Sequence, residues 1–394
     1  MRESWRWFGP DDPVSLDEIR QTGATDIVSA LHHIPIGEVW PLDAIRAHKQ
    51  LIEAQNATHS PLYWTVVESI PVHDDIKRGA GEHERFTDNW IASLENLATE
   101  GIRTICYNFM PVIDWTRTDL RYRLANGAFA LRFDQDRFAA FDLFILDRDG
   151  AQADYSEDEV ERARSVFETM SGEDIEQLTN TIIAGLPGKM TDGYSLDDFR
   201  SALARYANVD HDQLRSNLAA FLKRVLPVAE ALDVKLAIHP DDPPWDMFGL
   251  PRVICTPDDL DKLFECEPSP SNGITLCVGT YGSRPDNDLP QMACDFAERI
   301  HFAHLRGVSR DTTEQRTFVE ASHLDSDIDM VKVIANLIAN ERKLDRDIFI
   351  RPDHGHLMMG DIERSSNPGY SAIGRMKGLA EIRGVIKAVS ATLD

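Results

Sequence analysis

Eight short runs of β-branched and aromatic residues recur along the chain, and a longer stretch of helical period follows each one. The runs cover residues 5–8, 26–31, 62–67, 103–108, 235–239, 273–278, 300–304 and 347–351. Helical patterns lie between them. Ser15 opens the first, with Glu18 at the capping-box spacing. Pro41-Leu42-Asp43 opens the second, with Pro placed for a first turn. Others cover 84–99, 213–232, 257–264, 289–297, 329–340 and 375–390. Strands separated by helices need crossovers, so the sheet is parallel. Eight such units predict an α/β fold, a closed (β/α)8 TIM barrel, as a single domain over residues 1–394. Residues 109–212 are far longer than a barrel loop. They follow a strand's C-terminal end and are charge-rich, which predicts a helical insertion over the barrel mouth.

Charge excludes several classes of partner. Lys and Arg total 41 against 66 Asp and Glu, for a net charge of −25. A surface this acidic repels phosphate backbones and anionic lipid, so neither nucleic acid nor membrane is expected as a partner. An anionic substrate would need a local cationic site. The opening MRESWRWFGPDDP has no apolar core of an export signal, and no run approaches a membrane span. Five Cys form no pair pattern, so reduced thiols and a cytoplasmic location are expected. Walker A, GxGxxG, GxSxG and HExxH motifs do not occur.

Metal-competent residues stand at the ends of the late strands. The fifth run ends in His239, the sixth in Cys277-Val278, the seventh in His304-Leu305-Arg306, and the eighth in Arg351-Pro352-Asp353-His354-Gly355-His356. In a barrel these ends are neighbours on the catalytic face. Taken singly, each His reads as a hydrogen-bonded core residue and the Cys as a small hydrophobe. Together His239, Cys277, His304 and Asp353 make a four-ligand site with positions left for substrate oxygens. Side chains alternate on strands, so Asp353 and His354 diverge, one to metal and one to substrate. The turn Ser366-Asn367-Pro368-Gly369-Tyr370 delivers Tyr370 beside His354 for proton transfer. Early strand ends offer His32-His33, Glu68 and Asn108, which suit a hydroxyl-rich substrate. The acidic loop 323–329 lacks the Gly and distal Glu of a calcium loop, and reads as a helix cap by Ser326 or Asp327.

The stretches WRWFGPDDPVSL, ALHHIPIGEVW, CYNFMPVIDWTRTDL, ALRFDQ, AIHPDDPP, HFAHLRG, IRPDHGH and NPGYSAIGRMKGLAEIRGV together resemble the mannonate dehydratase family of hexuronate (glucuronate) catabolism. This is the family on a xylose-isomerase-like barrel, and the resemblance runs from residue 4 to about 388. It implies dehydration of D-mannonate to 2-dehydro-3-deoxy-D-gluconate with Mn²⁺ or Fe²⁺. It also implies His239, Cys277, His304 and Asp353 as ligands, with His354 and Tyr370 as acid and base. Arg306 lies one alternation beyond His304 and is expected on the substrate carboxylate; Asn108 and His33 are expected on the substrate too. A small sugar acid is the expected partner, and a homo-oligomer, a dimer, the expected assembly. The alternative is a metal-dependent sugar isomerase or epimerase on the same barrel. A non-catalytic protein with a structural metal is disfavoured, because such sites are closed and Cys-rich.

Overall fold

The computed structural model describes residues 1–183 and 195–392. Eight parallel strands close the barrel: β1 (Arg2–Arg6), β2 (Asp26–Ser29), β3 (Tyr63–Glu68), β4 (Thr104–Tyr107), β7 (Lys235–Ile238), β8 (Asn272–Cys277), β9 (Ile300–Leu305) and β12 (Phe349–Pro352). They run around the barrel in chain order, with β12 returning to pair with β1. All eight expected runs overlap a barrel strand, but the first strand begins three residues earlier than expected, at Arg2–Arg6 rather than 5–8. Val28, Val66, Cys106, Ala237 and Phe302 pack together inside the barrel as an apolar floor. Above it, register aligns Cys277 with His304 across β8 and β9, and His304 with Arg351 across β9 and β12. One row of partners therefore carries a thiol, an imidazole and a guanidinium side by side.

Helices form the outer ring, and local chemistry sets their ends. Ser15 and Glu18 make the expected capping box. Thr256 and Asp259 do the same for Pro257–Cys266. Pro41 is the N-cap of Leu42–Glu53 rather than a residue of its first turn. The helix Met330–Leu344 is capped by Asp329, which accepts from the Lys332 amide. Neither Ser326 nor Asp327 caps it. Asp327 instead accepts from the Arg310 amide, which ties the preceding loop to a hairpin.

The segment after β4 differs from the helical insertion expected. It opens with a β-hairpin, β5 (Asp119–Arg123) and β6 (Phe129–Phe133). A second hairpin follows β9, made of β10 (Gly307–Arg310) and β11 (Phe318–Ala321). The two join edge to edge as one antiparallel sheet in the order β10-β11-β6-β5. Phe318 pairs with Phe133 at the seam, and their rings stack 5.8 Å apart. Helices Gln135–Ala140, Glu157–Thr169, Gly172–Ile183 and Leu196–Ala204 come next. Part of the expected insertion, residues 184–194, lies outside the described residues. Among those described, no helix is long and apolar enough to cross a membrane, and the five Cys are all free.

Candidate metal centre and proton-transfer pair

At the C-terminal ends of β7, β8 and β9, ligand atoms of His239, Cys277 and His304 all lie within 4.8 Å of one another. Pro240 O is 2.7 Å from His239 Nδ1, so Nδ1 carries the proton and donates it, leaving the Nε2 lone pair free for a metal. Cys277 and His304 are fully buried. The His304 Nε2 makes no hydrogen bond among the described residues, although a Glu68 oxygen lies 3.3 Å away. Such an orphaned buried nitrogen calls for a partner. Asp353 stands beside this trio, with Oδ2 3.5 Å from Cys277 Sγ. Its Oδ1 takes a 2.6 Å bond from Arg351, and Arg306 Nε is 3.2 Å from Oδ2. Burial alone would raise the Asp353 carboxyl; Arg351, His354 and Arg306 outweigh it and hold the group well below the usual range. Two imidazoles, a thiol sulfur and an ionised carboxylate are a donor set that fits a divalent transition metal.

A second grouping, Glu68 with Cys106 and His304, lies deeper in the barrel. It is poorly suited to an ion. Arg351 already grips Glu68 through two bonds of 3.1 and 2.9 Å. Burial pushes the Cys106 thiol far up, and its sulfur accepts from Thr275 at 3.2 Å.

Beyond β12 the chain sets His354 against a carboxylate that the sequence reading did not single out. Both oxygens of Glu320, on β11, lie 2.8 Å from His354 Nδ1. Arg306 Nη1 is also 3.1 Å from Nδ1, but the two shorter carboxylate contacts decide: Nδ1–H donates to Glu320 and Nε2 is left unprotonated in the neutral ring. Glu320 is 3 % exposed and also accepts from Arg117 at 2.8 Å and Arg306 at 2.7 Å. Burial raises its pKa, but His354, Arg306 and Arg117 together pull it down to about 2. Asp242, between Arg117 at 2.8 Å and Arg306 at 3.2 Å, is likewise held well below its ordinary value despite its burial.

Tyr370 meets the edge of His354, with ring centroids 5.0 Å apart and planes at 76°. The turn requires Gly369: φ there is +81°, and a Cβ would sit 2.7 Å from the His354 ring. Burial, only partly offset by Arg351, raises the Tyr370 phenol to about 12.

Seven of the residues read from the sequence thus converge: His239, Cys277, His304, Asp353, His354, Tyr370 and Arg306. Arg306 is 1 % exposed, and its terminal nitrogens are committed to Glu320, Asp242 and Thr280. Asn108 follows β4, where its Oδ1 accepts from the Met110 amide at 3.4 Å. His33 is an exposed residue just past β2. Among the described residues, no hydrogen bond or ion pair joins Asn108 or His33 to the cluster. Glu320, Asp242, Arg117 and Arg351 carry no sequence pattern that marks them as site residues. Asp242 lies in the AIHPDDPP stretch, three residues past His239, and that proximity was the available signal.

The whole chain, residues 1–394, matches the family model described as D-mannonate dehydratase (UxuA). The chain belongs to this family. It is 53% identical to the mannonate dehydratase of Chromohalobacter salexigens over 393 residues, covering 99% of each. Identity to the mannonate dehydratase of Brucella canis is also 53%, over 99% of this chain and 98% of that one. The crystal structure of mannonate dehydratase from Streptococcus suis serotype 2 is similar at a TM-score of 0.77 and 33% identity, covering 100% of this chain and 94% of that one. A xylose isomerase-like TIM barrel protein from Mycobacterium smegmatis shares the fold at a TM-score of 0.51 and 11% identity, over 95% and 87% of the two chains. The chain's barrel is therefore of the xylose-isomerase-like fold, and the two joined hairpins lie at its mouth.

Proposed function

We propose that this member of the D-mannonate dehydratase family removes water from D-mannonate, giving 2-dehydro-3-deoxy-D-gluconate, at a divalent metal held by His239, Cys277, His304 and Asp353. When bound, the metal supplies positive charge for the oxygens on which negative charge gathers as the C2 proton leaves. His354 is the base. Its Nδ1–H is fixed on Glu320, so Nε2 is the nitrogen that takes the proton. Tyr370 is the acid, because a phenol raised to about 12 stays protonated at neutral pH and can give its proton to the departing C3 hydroxyl. One proton is taken at C2 and one is given to the leaving hydroxyl, which departs as water. The enol left behind releases its C2 hydroxyl proton and gains one at C3, which gives the 2-keto product with no net change in protons. Transfer from His354 back to Tyr370 then resets the pair.

The observation that carries this reading is the His354–Glu320 contact beside the metal-competent trio. Mn²⁺ or Fe²⁺ is the proposed ion, since two imidazoles with a carboxylate and a thiolate suit either. Asn108 and His33 are proposed as contacts to substrate hydroxyls, and Arg306 as the cation that balances Asp353 and Glu320 near the substrate. The segment 109–212 is proposed as a cover of the barrel mouth, the location as cytoplasmic, the pathway as glucuronate catabolism and the assembly as a dimer. The isomerase or epimerase alternative is not favoured, because the family match and the 53% relatives are dehydratases. The test is turnover by metal-stripped protein re-supplied with Mn²⁺, Fe²⁺ or Zn²⁺. A 2-keto-3-deoxy acid is expected from D-mannonate; no product with any of the three ions overturns the reading.

A further inference from the structure

Among the described residues, four of the buried arginines, Arg6, Arg117, Arg306 and Arg351, reach the side chains that line the barrel mouth, and three of them are spent on protein groups. Arg117 lies on Asp242, Glu320 and the Thr116 carbonyl. Arg306 lies on Glu320, Asp242 and Thr280. Arg351 holds Glu68 twice, Asp353 once, and sits 3.3 Å from His304. The fourth, Arg6, is different. It ends β1 and is 7 % exposed. Trp5 faces outward under the guanidinium of Arg375 from the last helix, 4.1 Å away, so strand alternation turns Arg6 inward.

Arg6 Nε and Nη1 are buried and make no hydrogen bond among the described residues. The remaining contacts are long: Nη2 is 3.5 Å from His32, and Nη1 is 3.9 Å from Glu68. Glu68 is not free to neutralise Arg6, because Arg351 has it in a two-bond grip. A guanidinium cannot shed its proton, and burying one with idle donors is costly unless an anion meets it. Its place is also right for the reaction. The Arg6 guanidinium covers the Phe8 ring at 4.8 Å, and Phe8 meets Tyr370 edge-on at 4.8 Å.

We infer that Arg6 receives the carboxylate of the sugar acid. The inference rests on the substrate reading above, and it moves to Arg6 the contact that the sequence assigned to Arg306. An open-chain sugar acid carries a single full negative charge, and among the described residues Arg6 is the buried cation at this mouth whose donors are left to meet it. The role is recognition: charge and fork geometry select an aldonic acid over the neutral polyol of the same carbon chain.

The experiment compares wild type, Arg6→Met and Arg6→Lys, each loaded with Mn²⁺. It reads kcat and KM for D-mannonate, bound metal, melting temperature, and calorimetric binding of D-mannonate against D-mannitol, which lacks the carboxylate. Arg6→Met is expected to raise KM roughly 10- to 100-fold, as loss of a charged hydrogen bond does, with a smaller change in kcat and unchanged metal. Its preference for mannonate over mannitol disappears, and Arg6→Lys recovers part of both. A wild-type KM in Arg6→Met, or a loss confined to kcat, overturns the inference. Should Arg6→Met not fold, Arg6→Lys decides: a KM raised several-fold supports the role and an unchanged KM overturns it. Wild-type turnover separates this inference from the substrate reading. If wild type turns over D-mannonate and the variants match it, only the Arg6 role falls. If wild type does not, the substrate reading falls, and Arg6 is judged by whether the mannonate-over-mannitol preference exists and is lost in Arg6→Met.

Discussion

His354 has two ring nitrogens, and Glu320 decides which is available. A carboxylate holding Nδ1–H at 2.8 Å fixes both the tautomer and the ring plane. Glu320→Ala should therefore lower kcat roughly 100-fold while the protein keeps its metal, measured by steady-state assay beside metal analysis. His354→Asn should remove about 10²–10⁴ in rate, again with metal retained. Loss of metal with His354→Asn would make it a ligand and refute the assignment. Cys277→Ser should leave an enzyme that needs added metal after dialysis against chelator, because a hydroxyl is a poorer ligand than a thiolate for Fe²⁺. Full metal content after such dialysis would remove Cys277 from the ligand set. The proposed ligands were legible in the sequence because each stands at a strand end, a position that the barrel gives a common meaning. Glu320 and Arg6 were not. Glu320 sits in a short strand with no chemical neighbour in the chain, 34 positions from His354, and only the folded sheet joins them. Arg6 lies between Trp5 and Trp7, where nothing in the sequence tells an idle donor from a satisfied one.

At the scale of elements, the eight barrel strands were readable because buried parallel strands are compact apolar runs between helical periods. The two mouth hairpins were not. β5 reads DLRYR, with no residue buried, and β10 is four residues long, so neither shows a strand pattern that exceeds its charged surroundings. The sheet they form is pinned from below by Arg117, which is fully buried and bridges Asp242 on the β7 side to Glu320 on β11. Arg117→Met takes the cation from two buried carboxylates at once. It should cost about 3–5 kcal/mol, seen as a lower denaturant midpoint. Turnover should fall with it, because Glu320 loses one of its two arginines, whereas bound metal should be unchanged. An unaltered midpoint would show that Arg306 alone holds both acids.

The molecule as a whole carries a charge of −25, yet its mouth gathers Arg6, Arg117, Arg306 and Arg351. Glu68, Asp242, Glu320 and Asp353 balance these charges, so an anion repelled by most of the surface meets one idle guanidinium there, that of Arg6. Acid should weaken the fold before the carboxylates titrate. Burial lowers His48 to about 4 and His301 to about 3 from an ordinary 6.5. The unfolded chain then binds protons below pH 6.5 that the folded chain refuses until pH 4 or lower. Stability is full above 6.5 and falls as pH drops through that window, by about 1.4 kcal/mol per unit for each ring. These two rings alone should make chemical unfolding at pH 7.5 and 5.5 differ by about 2–3 kcal/mol, and His48→Gln should remove about half of that; equal midpoints would contradict the burial of both rings. Loops on a barrel rim ordinarily vary one at a time, which lets a single scaffold acquire new substrates by exchanging one loop for another. Here the loops after β4 and β9 share a hydrogen-bonded seam and jointly support Glu320. A graft of either alone leaves an open strand edge and a misplaced carboxylate, so the pair must be inherited, or transplanted, as a unit.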